Sequence, residues 1–263
     1  MKIKNTLTHS LLIIALLISG CEDKEAEEQL VVESFSITLV DKITTGDETQ
    51  SQPELIRFVT DELGVIVNSK QNSVDFISIT PSGISMSGQS VQITQDADAD
   101  ASSIDVSVDE SILAVVVSKG ACLRGELYLI NTSTLQKYGP YELGFNPDAV
   151  DIAVDNKFVV VVNEFDYEDG VDGGCQTLGF PGVSVYDISA GIDKAALVKD
   201  MKISHTGSNG NLAEPEGVKI APNGDTVYMT LQESNEMGWF SLFNPPDVLP
   251  VSYTHLTLPT IGC

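Results

Sequence analysis

The sequence predicts an all-β fold, a β-propeller made of four-stranded antiparallel blades, and three observations support this prediction. A polar turn residue between two apolar strands recurs at Asp61, Asp109, Asp155 and Asn223, at spacings of 48, 46 and 68 residues. Further strand-like segments follow each turn, and helical periodicity is nearly absent. One four-stranded unit cannot bury both of its faces without a neighbour on each side, whereas a β-sandwich gives no reason for the same turn to recur.

Each repeat supplies its strands in the same order. An alternating apolar strand precedes the turn, and a nearly continuous run of β-branched residues follows it, as in "IDVSVDESILAVVVS" around Asp109. Third strands are expected from Val74, Glu126, Val183 and Gly238, and fourth strands from Val91, Lys137 and Val198. Residues 53–249 therefore form a partial propeller of about four blades, which we expect to be a truncated part of a larger ring.

Residues 1–20 are typical of a signal peptide. Lys2 and Lys4 precede an apolar run that ends in Ile18-Ser19-Gly20, directly before Cys21. A small residue before a cysteine resembles the lipobox of bacterial lipoproteins, in which the cysteine receives lipid and becomes the new N-terminus. Lipidation at Cys21 is the favoured interpretation, and ordinary secretory cleavage near Gly20 is the alternative. The protein is thus expected in the bacterial cell envelope, periplasmic or at the cell surface, held on the membrane by its N-terminal lipid.

Residues 21–52 form an acidic segment, "CEDKEAEEQLVVESFSITLVDKITTGDETQSQ". Its composition predicts a flexible, lipid-anchored tether through Gln29. The stretch from Leu30 to Val40 is a possible first strand.

Residues 250–263 lack turn chemistry and periodicity continuous with the blades. The stretch "PVSYTHLTLPT" resembles the translation of a sequencing adapter, so we interpret this end as a non-native tail and exclude it from function. The alternative is a genuine terminal strand. On the first interpretation, the natural protein continues beyond Leu249.

The formal net charge of −24 at neutral pH describes a strongly acidic protein. Such a field repels nucleic acid and bare anionic membrane, so a nucleic-acid partner is not expected. It favours cations, basic partners or a salty medium. A generally acidic, solvated surface without a specific cation site is the alternative.

Two cysteines remain inside the blades once Cys21 and Cys263 are set aside. Cys122 and Cys175 fall in corresponding loops of adjacent blades, and an exported chain matures in an oxidising compartment. We predict a disulfide between them, with two buried free thiols as the alternative.

The predicted fold gathers oxygen-bearing residues at one mouth of the central channel. The first strand of each blade lines the channel, and Glu54, Asp148 and Glu216 open three of these strands. Asn163 and Glu164 begin a second-to-third-strand loop at the same end. Carboxylate and amide oxygens are the ligands that Ca²⁺ prefers, so we predict a calcium site held by some of these five residues. The alternative is that Pro-Glu and Pro-Asp pairs simply start strands while the acidic loop stays solvated.

Segments between residues 53 and 243 resemble successive blades of a known family. The most specific pieces are the Asn163-Glu164 loop before "GVSVYDIS" and the stretch that begins "EPEG" and contains "VYMTLQESN". They resemble the choice-of-anchor I family of exported bacterial propellers, which is similar in pattern to YncE and lactonase-like propellers. The resemblance implies a secreted or surface-attached propeller without agreed catalytic residues, and lactonase-like propellers hold a divalent ion at the channel mouth.

Nucleophilic catalysis has little support in the sequence. His205 is the only histidine outside the two excluded ends, and a single loop histidine is more often a surface residue than a general base. The sequence contains no Gly-x-Ser-x-Gly elbow, phosphate loop or Cys-x-x-Cys pair. Trp239 is expected in a blade core rather than in a ligand stack.

The acidic run "QDADADASSID" is the one further motif with a metal-like pattern. It carries Asp96, Asp98, Asp100 and Asp105 but lacks the glycine and the closing glutamate of an EF-hand. We interpret it as a solvated connection between blades.

Two functional hypotheses from different classes remain. The first is an exported, lipid-anchored surface propeller that binds an unknown protein, glycan or small molecule and performs no chemistry. The second is a calcium-dependent lactonase or phosphoesterase-like hydrolase, in which an ion at the channel mouth polarises a substrate oxygen. We favour the first, because the propeller is a widely reused scaffold and a fold does not determine function.

Overall fold

The computed structural model describes residues 41–46, 49, 51–120, 122–165, 179–204, 206 and 213–246. Apart from a 3-10 turn at Ile192–Lys194, every regular element in these ranges is a β-strand. The all-β prediction is therefore confirmed. The signal peptide with Cys21, the tether with its possible first strand, and the tail at 250–263 lie outside the described residues. Within the described ranges, no helix is long and apolar enough to cross a membrane.

The strands form four consecutive antiparallel sheets. Sheet 1 contains β1 (Pro53–Thr60), β2 (Leu63–Asn68), β3 (Ser73–Thr80) and β4 (Gly83–Gln92). Sheet 2 contains β5 (Asp100–Val106), β6 (Ile112–Ser118), β7 (Arg124–Asn131) and β8 (Lys137–Phe145). Sheet 3 contains β9 (Pro147–Ile152), β10 (Phe158–Asn163), β11 (Gly182–Asp187) and β12 (Ala196–Lys202). Sheet 4, in its described part, contains β13 (Pro215–Ile220), β14 (Thr226–Leu231) and β15 (Glu236–Ser241).

The sheets are arranged as propeller blades. Within each sheet the hydrogen-bonded order follows the order in sequence, and every neighbouring pair is antiparallel. Between sheets, β1 contacts β5, β5 contacts β9, and β9 contacts β13. The first strands of successive sheets therefore lie side by side, as they do around a propeller channel. The prediction of four successive antiparallel blades is confirmed.

The turn residues behave as their repeated positions predict. Asn223 Oδ1 accepts hydrogen bonds from the backbone N–H groups of Asp225 and Thr226, both at 3.0 Å. Asp109 Oδ1 accepts hydrogen bonds from the Ser107 and Ser111 hydroxyls, both at 2.7 Å, and these bonds lower the pKa of Asp109. Such side-chain bonds to nearby donors are why Asp and Asn favour turns.

One predicted strand start is wrong. We expect the fourth strand of sheet 1 from Val91, but β4 begins at Gly83 and pairs with β3 through Thr80. A short hairpin at Pro81 and Ser82 returns the chain, with Thr80 Oγ1 donating to the Gly83 carbonyl at 3.0 Å. Gly83 has a φ of +137°, a conformation that favours glycine. The stretch from Gly83 is polar enough to look like a loop because this strand lies at an exposed sheet edge.

Three apolar clusters lie between the successive sheets. Val160 and Val162 of β10 pack against sheet 4, whereas Val159 and Val161 pack against sheet 2, and all four are fully buried. The unbroken valine run is explained by this geometry, because alternate side chains of one strand point to opposite faces and both faces are covered. Each of the four residues contributes about 1.5–3 kcal/mol of burial free energy.

Aspartates on the first strands connect one sheet to the next. Asp105 Oδ2 in β5 accepts a hydrogen bond from the Ile152 N–H in β9 at 3.0 Å. Asp151 Oδ2 in β9 accepts one from the Ile220 N–H in β13 at 2.6 Å. Both aspartates are buried, so each satisfies a backbone donor that the adjacent sheet would otherwise leave unpaired.

Two cationic side chains pair with these two aspartates. We call the four residues together the clamp row: Arg57, Asp105, Asp151 and Lys219. Arg57 Nε lies 3.6 Å from Asp105 Oδ1, and Lys219 Nζ pairs with Asp151 Oδ1. All four residues stand four positions before the turn residue of their own repeat. The clamp row therefore carries its charges in the order plus, minus, minus and plus across the four first strands.

The clamp row makes stability depend on pH at Asp151. Burial raises the pKa of Asp151 to about 6, and the charge of Asp105 adds to the rise, although Lys219 and the Ile220 N–H oppose it. Because this pKa lies above the unfolded value of about 3.9, the group stabilises the fold fully below about pH 4. Its contribution is lost as the pH rises through about 6.

We therefore expect the free energy of unfolding of the wild type, minus that of Asp151→Asn, to fall between pH 4 and pH 7. The expected decrease is on the order of 1–3 kcal/mol, measured by urea unfolding at each pH. Asp193→Asn, at an exposed position on the 3-10 turn, serves as the control and is expected to show no such trend. A difference that grows with pH would instead mean that the Lys219 ion pair outweighs the cost of burial.

Candidate functional site

A cavity of about 420 Å³ lies where the first strands begin. Glu54, Asp148 and Glu216, the second residues of β1, β9 and β13, all line it. Each follows a proline that opens its strand, and the side-by-side first strands bring the three equivalent positions together. The structure thus gathers three of the five residues predicted for the metal site. The other lining residues are Leu55, Arg57, Ser102, Ser103, Ala149, Val150, Gly217 and Val218.

A second cavity of about 310 Å³ shares Glu54, Ser102 and Asp148 with the first. Its remaining lining residues are Gln52, Ser69 and Asp100. We call the two cavities together the mouth cleft. It carries four carboxylates, and Arg57 is the one cationic side chain among its lining residues.

Burial acts on two of these carboxylates, and electrostatic repulsion acts on one of them. Burial raises the pKa of Asp148. Burial also raises the pKa of Glu216, and the negative charges of Asp148 and Glu233 raise it further. Glu54 is held differently, because its Oε1 accepts hydrogen bonds from Gln52 Nε2 at 2.6 Å and from the Ser69 hydroxyl at 3.1 Å. The mouth cleft therefore combines one anchored carboxylate with two whose ionised forms are disfavoured.

Asn163 and Glu164 do not line the mouth cleft. Asn163 is buried at the end of β10, where its Oδ1 accepts from the Gly144 N–H at 2.9 Å. Its Nδ2 donates to the Ser184 hydroxyl at 3.0 Å, so the amide connects sheet 3 to β8 of sheet 2. Glu164 Oε2 accepts from Asn146 Nδ2 at 2.8 Å. The described contacts of these two residues are structural.

The calcium site stays a prediction. In the described part of the chain, no three His, Cys, Asp or Glu side chains are grouped closely enough to hold a metal ion. His205 lies outside the described residues, and so does the part of the acidic loop that follows Phe165. Cys175 does too, so its disulfide with Cys122 also stays a prediction.

The run "QDADADASSID" is a solvated connection only in its first part, and the prediction is wrong for Asp105, which is buried in β5. Asp96 and Asp98 are exposed between β4 and β5, and Asp100 begins β5. Asn72 holds this connection, because its Nδ2 donates to the carbonyls of Asp96 and Ala99 at 3.2 and 2.6 Å.

No motif in the sequence marks the clamp row or Ser102 of the mouth cleft. A signal for the clamp row exists in the sequence, since each member stands four residues before the repeated turn. Alternation alone does not reveal that these side chains meet across sheets. Ser102 carries no distinguishing pattern, and only the packing of β5 between β1 and β9 brings it to the cleft.

The profile of the choice-of-anchor I domain matches residues 56–245. The chain belongs to the choice-of-anchor I family. The resemblance stated from the repeated segments is thereby confirmed, and membership also indicates an extracellular or cell-surface protein. Comparison with curated proteins gives no match.

Solved structures show the fold of this choice-of-anchor I chain. A candidate 6-phosphogluconolactonase from Bacteroides uniformis is similar with a TM-score of 0.57 and 13% identity, over 77% of this chain and 54% of that chain. A functionally unknown protein from Desulfotomaculum acetoxidans is similar with a TM-score of 0.54 and 11% identity, over 76% of this chain and 56% of that chain. The β-propeller domain of Cps50 (Swd1) from Myceliophteria thermophila is similar with a TM-score of 0.51 and 10% identity, over 74% of this chain and 57% of that chain. The chain therefore spans a little over half the length of these propellers, and at such identities the likeness shows the fold alone.

The repulsion inside the mouth cleft gives a direct prediction. Asp148→Asn removes a negative charge that raises the pKa of Glu216, so we expect the pKa of Glu216 to fall. Carboxyl carbon chemical shifts followed by NMR during a pH titration measure this change. Asp193→Asn, outside the cleft, is the control and is expected to leave the titration of Glu216 unchanged. An unchanged value in Asp148→Asn would mean that the two carboxylates do not share the cleft.

Proposed function

We propose that this protein is an exported binding propeller of the cell envelope, and that its mouth cleft binds a cationic ligand. The observation that supports this most directly is the meeting of Glu54, Asp148 and Glu216 from three different sheets in one cavity. Lipid attachment at Cys21 would hold the propeller on the membrane and leave the cleft open to solutes or to a basic partner.

The electrostatics of the cleft favour a cation. Raised pKa values at Asp148 and Glu216 mean that ionising both groups costs free energy in the empty cleft. A bound positive charge stabilises their ionised forms and offsets the free energy needed to ionise them. The net charge of −24 also draws cations toward the protein before any specific contact forms.

The size of the cleft favours an organic cation. Cavities of about 300–1,000 Å³ commonly hold small organic ligands, and the mouth cleft falls in this range. Lysine or arginine side chains of a peptide, or the amines of a small molecule, would pair with the carboxylates. The hydroxyls of Ser102 and Ser103 add donors and acceptors for neutral groups of the same ligand.

A calcium-dependent hydrolase of lactones or phosphoesters is the second candidate function. The same three carboxylates favour it, because calcium accepts oxygen ligands in flexible geometry. The similarity to the Bacteroides uniformis protein adds fold-level support. In this case calcium would supply the polarisation of a substrate oxygen, and the carboxylates would hold the ion.

Titration calorimetry with a lysine-rich peptide tests the first candidate. The double variant Glu54→Gln plus Glu216→Gln is expected to weaken binding at least tenfold, since two paired charges are removed. A matched control, Glu110→Gln plus Asp193→Asn, removes the same charge at exposed positions outside the cleft and is expected to bind like the wild type. Equal weakening in both variants would mean that only the overall field attracts the peptide.

Calcium titration followed by melting temperature tests the second candidate. A ligand of the folded state raises stability by about 2.7 kcal/mol at a concentration one hundred times its Kd. We expect millimolar calcium to raise the melting temperature of the wild type but not of the Glu54→Gln plus Glu216→Gln variant. The absence of a shift in the wild type would eliminate the calcium site, and lactone and phosphoester panels would then be tested without the metal.

A further inference from the structure

The residues that line the larger cavity of the mouth cleft lie in layers along the first strands. Four of them hold the same position in their repeats, seven residues before the repeated turn residue: Glu54, Ser102, Asp148 and Glu216. We call these four residues the entrance layer. Because three of its members are carboxylates, the outer end of the cavity is acidic.

The next residues of the same strands form a mostly apolar middle layer. It consists of Leu55, Ser103, Ala149, Val150, Gly217 and Val218, and all of them line the same cavity. Aliphatic walls of this kind favour a hydrocarbon chain over a hydrated ion.

Arg57 is the lining residue that lies furthest along its strand from the entrance layer. It follows Glu54 by three positions on β1, which corresponds to roughly 10 Å along an extended strand. The cavity therefore has negative charge at its outer end, aliphatic groups in its middle and a guanidinium at its inner end.

The Arg57 guanidinium retains donors for a ligand. Its Nη1 donates to the Ile56 carbonyl at 3.0 Å, and no other described residue accepts a hydrogen bond from it. Its Nε lies 3.6 Å from Asp105 Oδ1, which is longer than a hydrogen bond. Asp105 Oδ2 is bonded to the Ile152 N–H, so Asp105 keeps a partner if Arg57 turns toward a ligand. A guanidinium has five N–H donors and binds carboxylates in a bidentate manner.

Ser103 is a second and independent indication of a ligand. It is 3% exposed and lines the cavity, yet its hydroxyl forms no hydrogen bond with any described residue. The hydroxyl of the adjacent Ser102, in contrast, donates to the Pro147 carbonyl at 3.0 Å. Buried hydroxyls are normally hydrogen-bonded, because removing one from water without a new partner costs free energy. The Ser103 hydroxyl therefore favours a polar group of a bound molecule as its partner.

We infer that the ligand of the mouth cleft is an ω-amino carboxylate, a molecule with an ammonium group and a carboxylate at opposite ends of a short hydrocarbon chain. This inference rests on the cationic ligand proposed above and adds a second, negative charge to it. The ammonium pairs with the carboxylates of the entrance layer and donates to the Ser103 hydroxyl. The hydrocarbon chain lies against the middle layer, and the carboxylate binds Arg57. Lysine belongs to this class through its ε-ammonium and its carboxylate.

Titration calorimetry of the full-length protein with three compounds tests this inference. In ε-aminocaproate, five methylene groups separate the amine from the carboxylate. Pentylamine lacks the carboxylate, and caproate lacks the amine. The wild type is expected to bind ε-aminocaproate tighter than either of the other compounds by roughly tenfold or more, since each of them loses one charge-assisted contact.

Substitution of Arg57 separates a lost contact from a damaged cleft. Arg57→Gln is expected to weaken the binding of ε-aminocaproate roughly tenfold or more. The same variant is expected to bind pentylamine as tightly as the wild type or tighter, because a cation that repels the amine is removed. Arg57→Lys keeps the charge without the bidentate fork, so its affinity for ε-aminocaproate is expected to be intermediate. Lys194→Gln, at an exposed position on the 3-10 turn, is the control and is expected to bind all three compounds like the wild type.

The ω-amino carboxylate and the cationic ligand fail in different ways. If pentylamine binds the wild type as tightly as ε-aminocaproate, or if Arg57→Gln weakens both compounds equally, the ω-amino carboxylate is overturned and the cationic ligand stands. If caproate alone binds, both are overturned, because the cleft is then an anion site. If none of the three compounds binds, the ω-amino carboxylate is overturned, and the titration with the lysine-rich peptide decides whether cation binding fails as well.

Discussion

Burial of both faces of each sheet is the constraint on which the rest of this structure depends. Strand β10 shows it most clearly, since Val159 and Val161 are covered by one neighbouring sheet and Val160 and Val162 by the other. A sheet with two apolar faces is stable only between two other sheets, so the sheets follow one another in an arc. The first strands then come into lateral contact, and their equivalent residues are aligned.

This alignment produces both polar features of the channel side. At the beginning of the first strands it brings Glu54, Asp148 and Glu216 into one cavity, although they are far apart in sequence. Further along the same strands it places Asp105 and Asp151 against backbone donors of the following sheet. The carboxylates at the strand starts line a cavity, whereas those of the clamp row are enclosed by packed sheets and complete the hydrogen bonding of the backbone.

Two differences between sequence and structure have a common cause. Asn163 and Glu164 look like ligands because they carry oxygens in a loop at the channel end, but the Asn163 amide is enclosed between sheets and bonded to Gly144. Gly144 has no room for a side chain, because an added Cβ would lie 2.5 Å from the Asn163 amide carbon. Trp239 differs in the opposite sense, being apolar and yet half-exposed. In both cases the neighbour in space, which no local pattern specifies, decides the environment.

The sequence alone determined the strands, the repeated turns, the propeller and the meeting of three carboxylates, because alternation and turn chemistry are local and the repeat transfers them to equivalent positions. The tertiary structure decided which of the five predicted ligands share a cavity, that the clamp row exists, and which apolar faces are covered. These properties depend on distances between side chains of different sheets, and such distances are set by packing rather than by the order of residues along one strand.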